Sequence, residues 1–438
     1  MIKKLLKIVV LAMIAVGIIY GIGITIKKQV PNASQKEIES KIFNMIQTKT
    51  ANITSFYTYG RALNLKGEIS GVNEDNFESV KLLITDGIEY EKEYKLNYEL
   101  EKNNLKFISS EEINSGLIID ELEGEEYFIL LRLKLNNSID PKYYSFSNTS
   151  DLNDIEYYTI TKDGKNRNAK IGFEEKEFNK QTYKLLKISL KEESLPEYVY
   201  DIVIDAGHGG TDKGENAGSI TEADVTLEYA KLLKTSLENA GYKVCLTRDD
   251  DNTNSYNYTN MYDSDGRITR ACASKAKLMI SLHINQGKND LKGFEIYCPC
   301  NSNLEFAKAL ANKINEKSSI EFSNSNSFKL FDGVYMRNFT KPEIRSFAST
   351  ANQKGYEPYP ITTSTPYLYT IRETGGIATG AYVDGRNTAY SANQYYDSNQ
   401  GLECYQIELG YIKNDLNIIT DEKENYIEAI TETICNNY

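Results

Sequence analysis

The chain holds two histidines in 438 residues, and each closes an apolar run. His208 ends IVIDAGH and His283 ends LMISLH. A lone histidine in a strand is most often a satisfied polar group. Two of them at the same kind of place can instead face one centre. Neutral imidazole is a common zinc ligand, and a catalytic zinc site needs a third protein ligand and an open position. Gly207, Gly209 and Gly210 surround His208, so the backbone there can turn sharply and come close to a ligand. Glu222 is the candidate third ligand. Ser219-Ile-Thr-Glu222 also fits a capping box, in which the glutamate bonds the N-cap amide, and spacing alone favours that role. Asp205 and Asp212 flank His208 and can either orient the ring or serve the turn.

The elements that must position these residues are legible from Val199 onward. YDIVIDA reads as a buried strand. TEADVTLEYAKLLKTSLENAGY carries Val225, Tyr229, Leu232, Leu233 and Leu237 at helical spacing and ends at Gly241, a good residue to stop a helix. KVCLTR and KLMISLHIN read as further strands, with a helix near Arg267 to Lys275 between them. GFEIYC and NLEFAKALANKINEK continue the alternation. This predicts an α/β domain over 199–438 with a mainly parallel sheet flanked by helices. In such sheets ligand sites form beyond the carboxyl ends of the strands.

Taken together, DIVIDAGHGGTDKG, TEADVTL, GYKVCLTRDDD, SLHIN and YQIELGYIKND resemble the zinc-dependent N-acetylmuramoyl-L-alanine amidases of the amidase 3 family. The motifs occur in family order from Tyr200 to about Tyr438. Each is weak alone, and the set is specific. The resemblance implies one zinc ion held by His208, Glu222 and His283, which places the ligand role of Glu222 above the capping role. It also implies a catalytic carboxylate at Glu408, which spacing alone could not have chosen. The implied reaction is hydrolysis of the amide between N-acetylmuramic acid and L-alanine of the peptidoglycan stem peptide. Zinc-activated water would attack, and Glu408 would pass its proton to the departing nitrogen. Asn285, in the SLHIN motif, is assigned to substrate. Glu321 to Gln400 is a polar stretch rich in Ser, Asn, Tyr and Gly. It reads as surface loops or as a substrate-binding or gating insertion. In the second case Arg372 or Arg386 faces the carboxylates of the substrate, because the guanidinium fork matches that geometry. Two alternatives stand beside this. One is a catalytically inactive scaffold that binds the wall, against which the complete residue set speaks. The other is a different zinc amidohydrolase or peptidase, against which only the motifs speak.

The remainder of the chain carries no such chemistry. Residues 50–190 show short alternating runs such as YFILLRLKLN and TYKLLKISL, which predict a mostly β accessory domain. It would act as a spacer, or bind a wall polymer or a protein activator. KEESLPEY, Lys191 to Tyr198, reads as a linker, and 29–49 as a tether or helix around Ile42. Ile8 to Ile26 is an uncharged apolar run flanked by lysines, long enough to cross a hydrocarbon core of about 30 Å. It is read as an uncleaved anchor within 1–28, with Lys3, Lys4 and Lys7 inside and the catalytic domain outside the cell membrane. The net charge of −12 argues against nucleic acid, whose phosphates require concentrated Lys and Arg. Six cysteines, all from Cys245 onward, read as small core residues, since Cys298-Pro-Cys300 lacks the spacing of a zinc knuckle.

Overall fold

Period-2 alternation does build the accessory region, as two packed, mainly antiparallel sheets, with Phe146–Asn148 parallel to Ala51–Tyr59. The computed structural model describes residues 34–72, 77–109, 116–148, 152, 154–160, 166–250, 266–299, 304–353, 355, 361–375 and 401–438. One sheet runs in the order Phe146–Asn148, Ala51–Tyr59, Ala62–Ser70, Asn104–Ile108, Asn97–Glu101. The other runs Ile155–Ile160, Asn166–Phe178, Gln181–Glu192, Glu126–Leu135, Phe77–Thr85, Glu91–Lys95. Leu63, Leu65 and Ile69 of the first meet Leu82, Ile84, Ile129 and Leu131 of the second in one core. Each such side chain stabilises the fold by about 1.5–3 kcal/mol when fully buried. The alternate residues of the second sheet, Leu83, Phe128 and Leu130, point the other way. They pack against Ile42 and Phe43 of the helix Gln35–Met45. Of the two readings for 29–49, tether or helix around Ile42, the described residues form a helix seated on the accessory sheet. The run Ile8 to Ile26 lies outside the described residues. Among the described residues, no helix is long and apolar enough to cross a membrane.

The catalytic region is the expected α/β sheet with a mixed edge. Its strands are β1 (Ile202–Ala206), β2 (Val244–Leu246), β3 (Leu278–Asn285), β4 (Glu295–Tyr297), β5 (Lys329–Phe331), β6 (Val334–Tyr335) and β7 (Glu403–Tyr411). They lie in the order β2-β1-β3-β7-β4-β6-β5. The four strands β2, β1, β3 and β7 are parallel, whereas β4 runs antiparallel to β7 and β5 antiparallel to β6. Part of the stretch expected as loops or a gating insertion thus extends the sheet through β5 and β6. It also forms two helices, α4 (Lys341–Gln353) and α5 (Tyr369–Thr374). The other helices are α1 (Glu222–Asn239), α2 (Arg267–Ala273), α3 (Leu304–Lys317), α6 (Leu416–Asp421) and α7 (Lys423–Asn437).

Alternation sorts the two faces of this sheet. Ile202, Ile204, Ile280, Leu282, Tyr405 and Ile407 face α1, α3 and α7 in a wholly apolar layer. Val203, Met279 and Cys404 face α2 and α5 through Ala271 and Ile371. Further along this second face the in-register residues turn polar: Asp205 beside Ser281, Ser281 beside Gln406, His283 beside Glu408. The site is therefore built where the second face reaches the carboxyl edge. Of the six cysteines, Cys272, Cys298 and Cys404 are buried, Cys245 is half-buried and Cys435 exposed. Cys300 lies outside the described residues.

The accessory domain docks on the opposite edge of the sheet, at the start of β7. Asp120 of the accessory domain takes Arg61 Nε at 3.2 Å and Lys277 Nζ at 3.3 Å. Arg61 also donates to the Asn437 carbonyl, and the Gly60 amide donates to Gly401 O at 2.9 Å. Tyr405 and Tyr438 both donate to Glu403. A cavity of about 630 Å³ lined by Arg61, Asp120, Lys277 and Tyr438 opens beside this cluster. Replacing both Arg61 and Lys277 by alanine strips the two cations from Asp120, whose side chain is 11% exposed. The expected loss is about 2 kcal/mol in denaturant unfolding, with faster proteolytic cutting of the segment 193–198 that follows the strand Gln181–Glu192.

Candidate metal centre

Three elements deliver the donor atoms. β1 ends at Ala206, and Gly207 continues in register, its amide donating to Leu282 O at 3.0 Å. No side chain fits at this position. A Cβ on Gly207 would lie 2.5 Å from His283 Cε1 and 2.6 Å from Leu282 O. The missing side chain is the space the second histidine occupies. His208 then adopts a φ of 61°, a left-handed conformation that costs a non-glycine residue roughly 1–2 kcal/mol. The turn presents the His208 ring to Glu222, with Nε2 3.1 Å from Oε1. Its Nδ1 is 2.9 Å from Asp212 Oδ2, which places Asp212 to orient the ring, while Asp212 Oδ1 accepts from the Gly214 amide of the turn at 3.1 Å.

Glu222 is the first residue of α1, and the cap lies one position earlier. Thr221 is the N-cap, its hydroxyl accepting from the Asp224 amide at 3.2 Å. Relieved of that role, the Glu222 carboxylate turns into the protein and is 2% exposed. Oε1 lies 3.1 Å from His283 Nδ1 and accepts from the Ile284 amide at 2.8 Å. Oε2 accepts from the Glu215 amide at 2.9 Å. Burial alone would raise its pKa. Its bonds to His208 and His283 outweigh that and hold it well below the usual carboxylate range. The same pairing raises the His208 pKa against its own burial. A nitrogen from each histidine and an oxygen of Glu222 all lie within 4.8 Å of one another. Two imidazoles and one ionised carboxylate form a set that fits a zinc ion with one position left open.

Glu408 stands beside this cluster by strand register. On parallel strands β3 and β7 it is the partner of His283, and across the antiparallel pair it is the partner of Glu295. All three side chains therefore share one face. Burial pushes the Glu408 pKa up to about 7; the charge of His283 opposes this and that of Glu222 adds to it. Gln406 Nε2 donates to its Oε1 at 2.8 Å. A carboxyl titrating near 7 can both accept and return a proton at neutral pH.

Several expectations about the surroundings change. Asp205 does not touch His208. It is fully buried and bonded to Thr247 and Ser281 at 2.6 Å each, and paired with Arg267. Asn285 is half-buried, and its Nδ2 donates to Glu295 at 2.8 Å. Arg372 is 4% exposed, paired with Glu373 at 2.9 Å and bonded to Tyr367 O at 2.7 Å. It holds α5 in place rather than facing a ligand. Arg386 lies outside the described residues. Three residues that carry the site are not singled out by motif or spacing: Arg248, Arg267 and Glu295. Arg248 has a signal, as a charge directly following the apolar strand KVCLT. Glu295 accepts four hydrogen bonds, from Asn285, Tyr297, Ser323 and Tyr411, and is 1% exposed.

A mainly parallel α/β sheet with a His-Glu-His donor set at its carboxyl edge and a carboxylic acid alongside is an arrangement suited to metal-assisted hydrolysis. Comparison with known proteins narrows this. The family model described as N-acetylmuramoyl-L-alanine amidase matches residues 202–346. The germination-specific N-acetylmuramoyl-L-alanine amidase of Bacillus subtilis is 32% identical over 165 residues, 35% of this chain and 68% of that protein. An endolysin of Bacillus phage SPP1 is 41% identical over 96 residues, 22% of this chain and 32% of its own. Among solved structures, the amidase AmiC2 of Nostoc punctiforme aligns with 55% of this chain and 96% of its own at 21% identity. Its TM-score is 0.33, which adds no weight. The chain belongs to the N-acetylmuramoyl-L-alanine amidase family. Glu408 lies beyond the matched stretch, so its place rests on the register of β7.

Gly207→Ala tests the close packing of the two ligand segments. The added methyl group must displace the His283 ring or the Leu282 carbonyl, and the expected cost is about 1–3 kcal/mol, read as a lower Tm.

Proposed function

We propose that His208, Glu222 and His283 hold one zinc ion and that Glu408 is the proton shuttle for hydrolysis of the muramoyl–L-alanine amide. The peptidoglycan amidase activity follows from family membership. The residue roles rest on one observation: three donors converge within 4.8 Å, and Glu408 neighbours His283 in register. Zinc bound there would supply Lewis acidity, polarising the amide carbonyl and making water a nucleophile at neutral pH. The protein supplies the rest. The ionised Glu222 balances the charge of the site. The bond from Asp212 to His208 Nδ1 leaves Nε2 as the donor atom. Glu408 takes the proton from the attacking water and delivers it to the leaving nitrogen, which must depart as an amine. Burial of Glu408 keeps its proton affinity high enough for both transfers.

The uncharged run Ile8 to Ile26 with its flanking lysines supports a membrane-anchored enzyme whose catalytic domain lies outside the cytoplasm. The accessory domain, docked away from the site, would then serve as a fixed platform between membrane and wall. Digestion of purified peptidoglycan followed by mass analysis tests the reaction. Intact stem peptides with free L-alanine amines are expected, and they disappear on chelation. Glycan fragments or free D-amino acids would refute it. Zinc content measured in His208→Ala, Glu222→Ala and His283→Ala tests the ligand set, with loss expected in each.

The pH dependence of Glu408 has a definite sign. As a base it must be ionised, so kcat/KM rises about tenfold per pH unit below a midpoint near 7, with zinc content constant over the range. Glu408→Gln lowers activity by about 10²–10⁴-fold and removes that limb. The folded carboxyl keeps its proton up to about 7 against 4.5 ordinarily. Its contribution to stability is therefore full below about 4.5 and is lost as pH rises to about 7.

A further inference from the structure

Behind the donor set lies a layer of buried charge that the proposed reaction does not use. Asp205 and Arg267 are both fully buried and paired through Arg267 Nη1. The same Nη1 donates to Ala206 O at 3.0 Å, and Nη2 donates to His208 O at 2.7 Å. Arg248, also fully buried, donates from Nε to Ala206 O at 2.9 Å. Its Nη2 reaches Gly207 O at 3.1 Å and Ala223 O at 2.7 Å. The carbonyls of three successive residues, Ala206, Gly207 and His208, thus all accept from guanidinium groups. So does that of Ala223, next to Glu222.

Stability alone does not account for this arrangement. A buried ion pair gains little over apolar residues of the same volume, since desolvating both charges offsets their attraction. What apolar residues cannot do is bond the backbone of a left-handed turn. The His208 carbonyl is the one that φ of 61° turns toward Arg267. Asp205 holds the other end of the bridge, tied to the residue that follows β2 by Thr247 and to β3 by Ser281. The guanidinium therefore references the position of His208 to the strand that carries His283.

We propose that Arg267, braced by Asp205, is a positioning residue that sets the metal affinity of the site by holding the His208 turn against the sheet. The inference rests on the zinc reading above. Its test uses the full chain and zinc alone, with affinity measured by competition against a chromogenic chelator. The paired substitution Asp205→Asn with Arg267→Met removes both charges, so no orphan ion is left to unfold the protein. Zinc binding is expected to weaken by about 10–100-fold while far-UV circular dichroism is retained. Arg267→Lys keeps the charge, but its ammonium cannot span the carboxylate and two carbonyls. It is expected to fold and to fall between wild type and the paired variant. A folded paired variant, or a folded Arg267→Lys, that binds zinc as tightly as wild type overturns the inference. Failure of the wild-type protein to bind zinc would instead overturn the underlying metal reading.

Discussion

The Glu222 carboxylate is the interaction on which the rest of the site depends. It is a buried negative charge bonded to His208, His283, the Ile284 amide and the Glu215 amide. Those partners come from the β1 turn, from β3 and from the loop before α1. A carboxylate at 2% exposure is costly unless each of its lone pairs is satisfied. Meeting that requirement draws the three segments to one point. The same charge raises the proton affinity of both His208 and Glu408, so it also sets the electrostatics of the chemistry.

Around that point the sheet works through register. In parallel strands, neighbours at the same level share a face. One face of β1, β3 and β7 is spent on the core with α1, α3 and α7. The other face ends in Gly207, His283 and Glu408, side by side. Gly207 contributes by having no side chain, since a Cβ there would occupy the place of the His283 ring. Beneath them the Asp205–Arg267 pair joins β1, β3 and the residue that follows β2 to the turn above. At the far end of β7, Glu403 takes hydrogen bonds from Tyr405 and Tyr438, while Lys277, just before β3, pairs with Asp120 of the accessory domain. β3 thus meets the accessory domain just before its start through Lys277, and β7 through the bond from the Gly60 amide to Gly401 O, and each strand carries a site residue toward its end.

The residues visible before folding are those whose local surroundings are unusual. His208 and His283 stand out because both close apolar runs in a chain with no other histidine. Glu222 is ambiguous in one dimension because a ligand and a capping glutamate occupy the same kind of place, the first turn of a helix. The ambiguity ends in space, where Thr221 takes the cap. Arg372 reads as a surface residue because the sequence around it is polar. Its burial against Glu373 and Phe339 depends on how α5 packs, which no local pattern encodes.

The sequence by itself determined the class of the catalytic domain, the two histidines, the glycines that clear the turn and the alternation that builds the accessory sheets. These are effects of residue type and short-range periodicity, so they can be read along one dimension. Tertiary structure alone decided the environment of Glu408, the mixed edge of the sheet and the second layer of Arg248, Arg267 and Asp205. Glu408 meets His283 across more than a hundred residues of chain, and only strand register makes them neighbours. A buried arginine and an exposed one are the same letter. What distinguishes them is whether carbonyls and a carboxylate from distant segments converge to replace the water each guanidinium gives up.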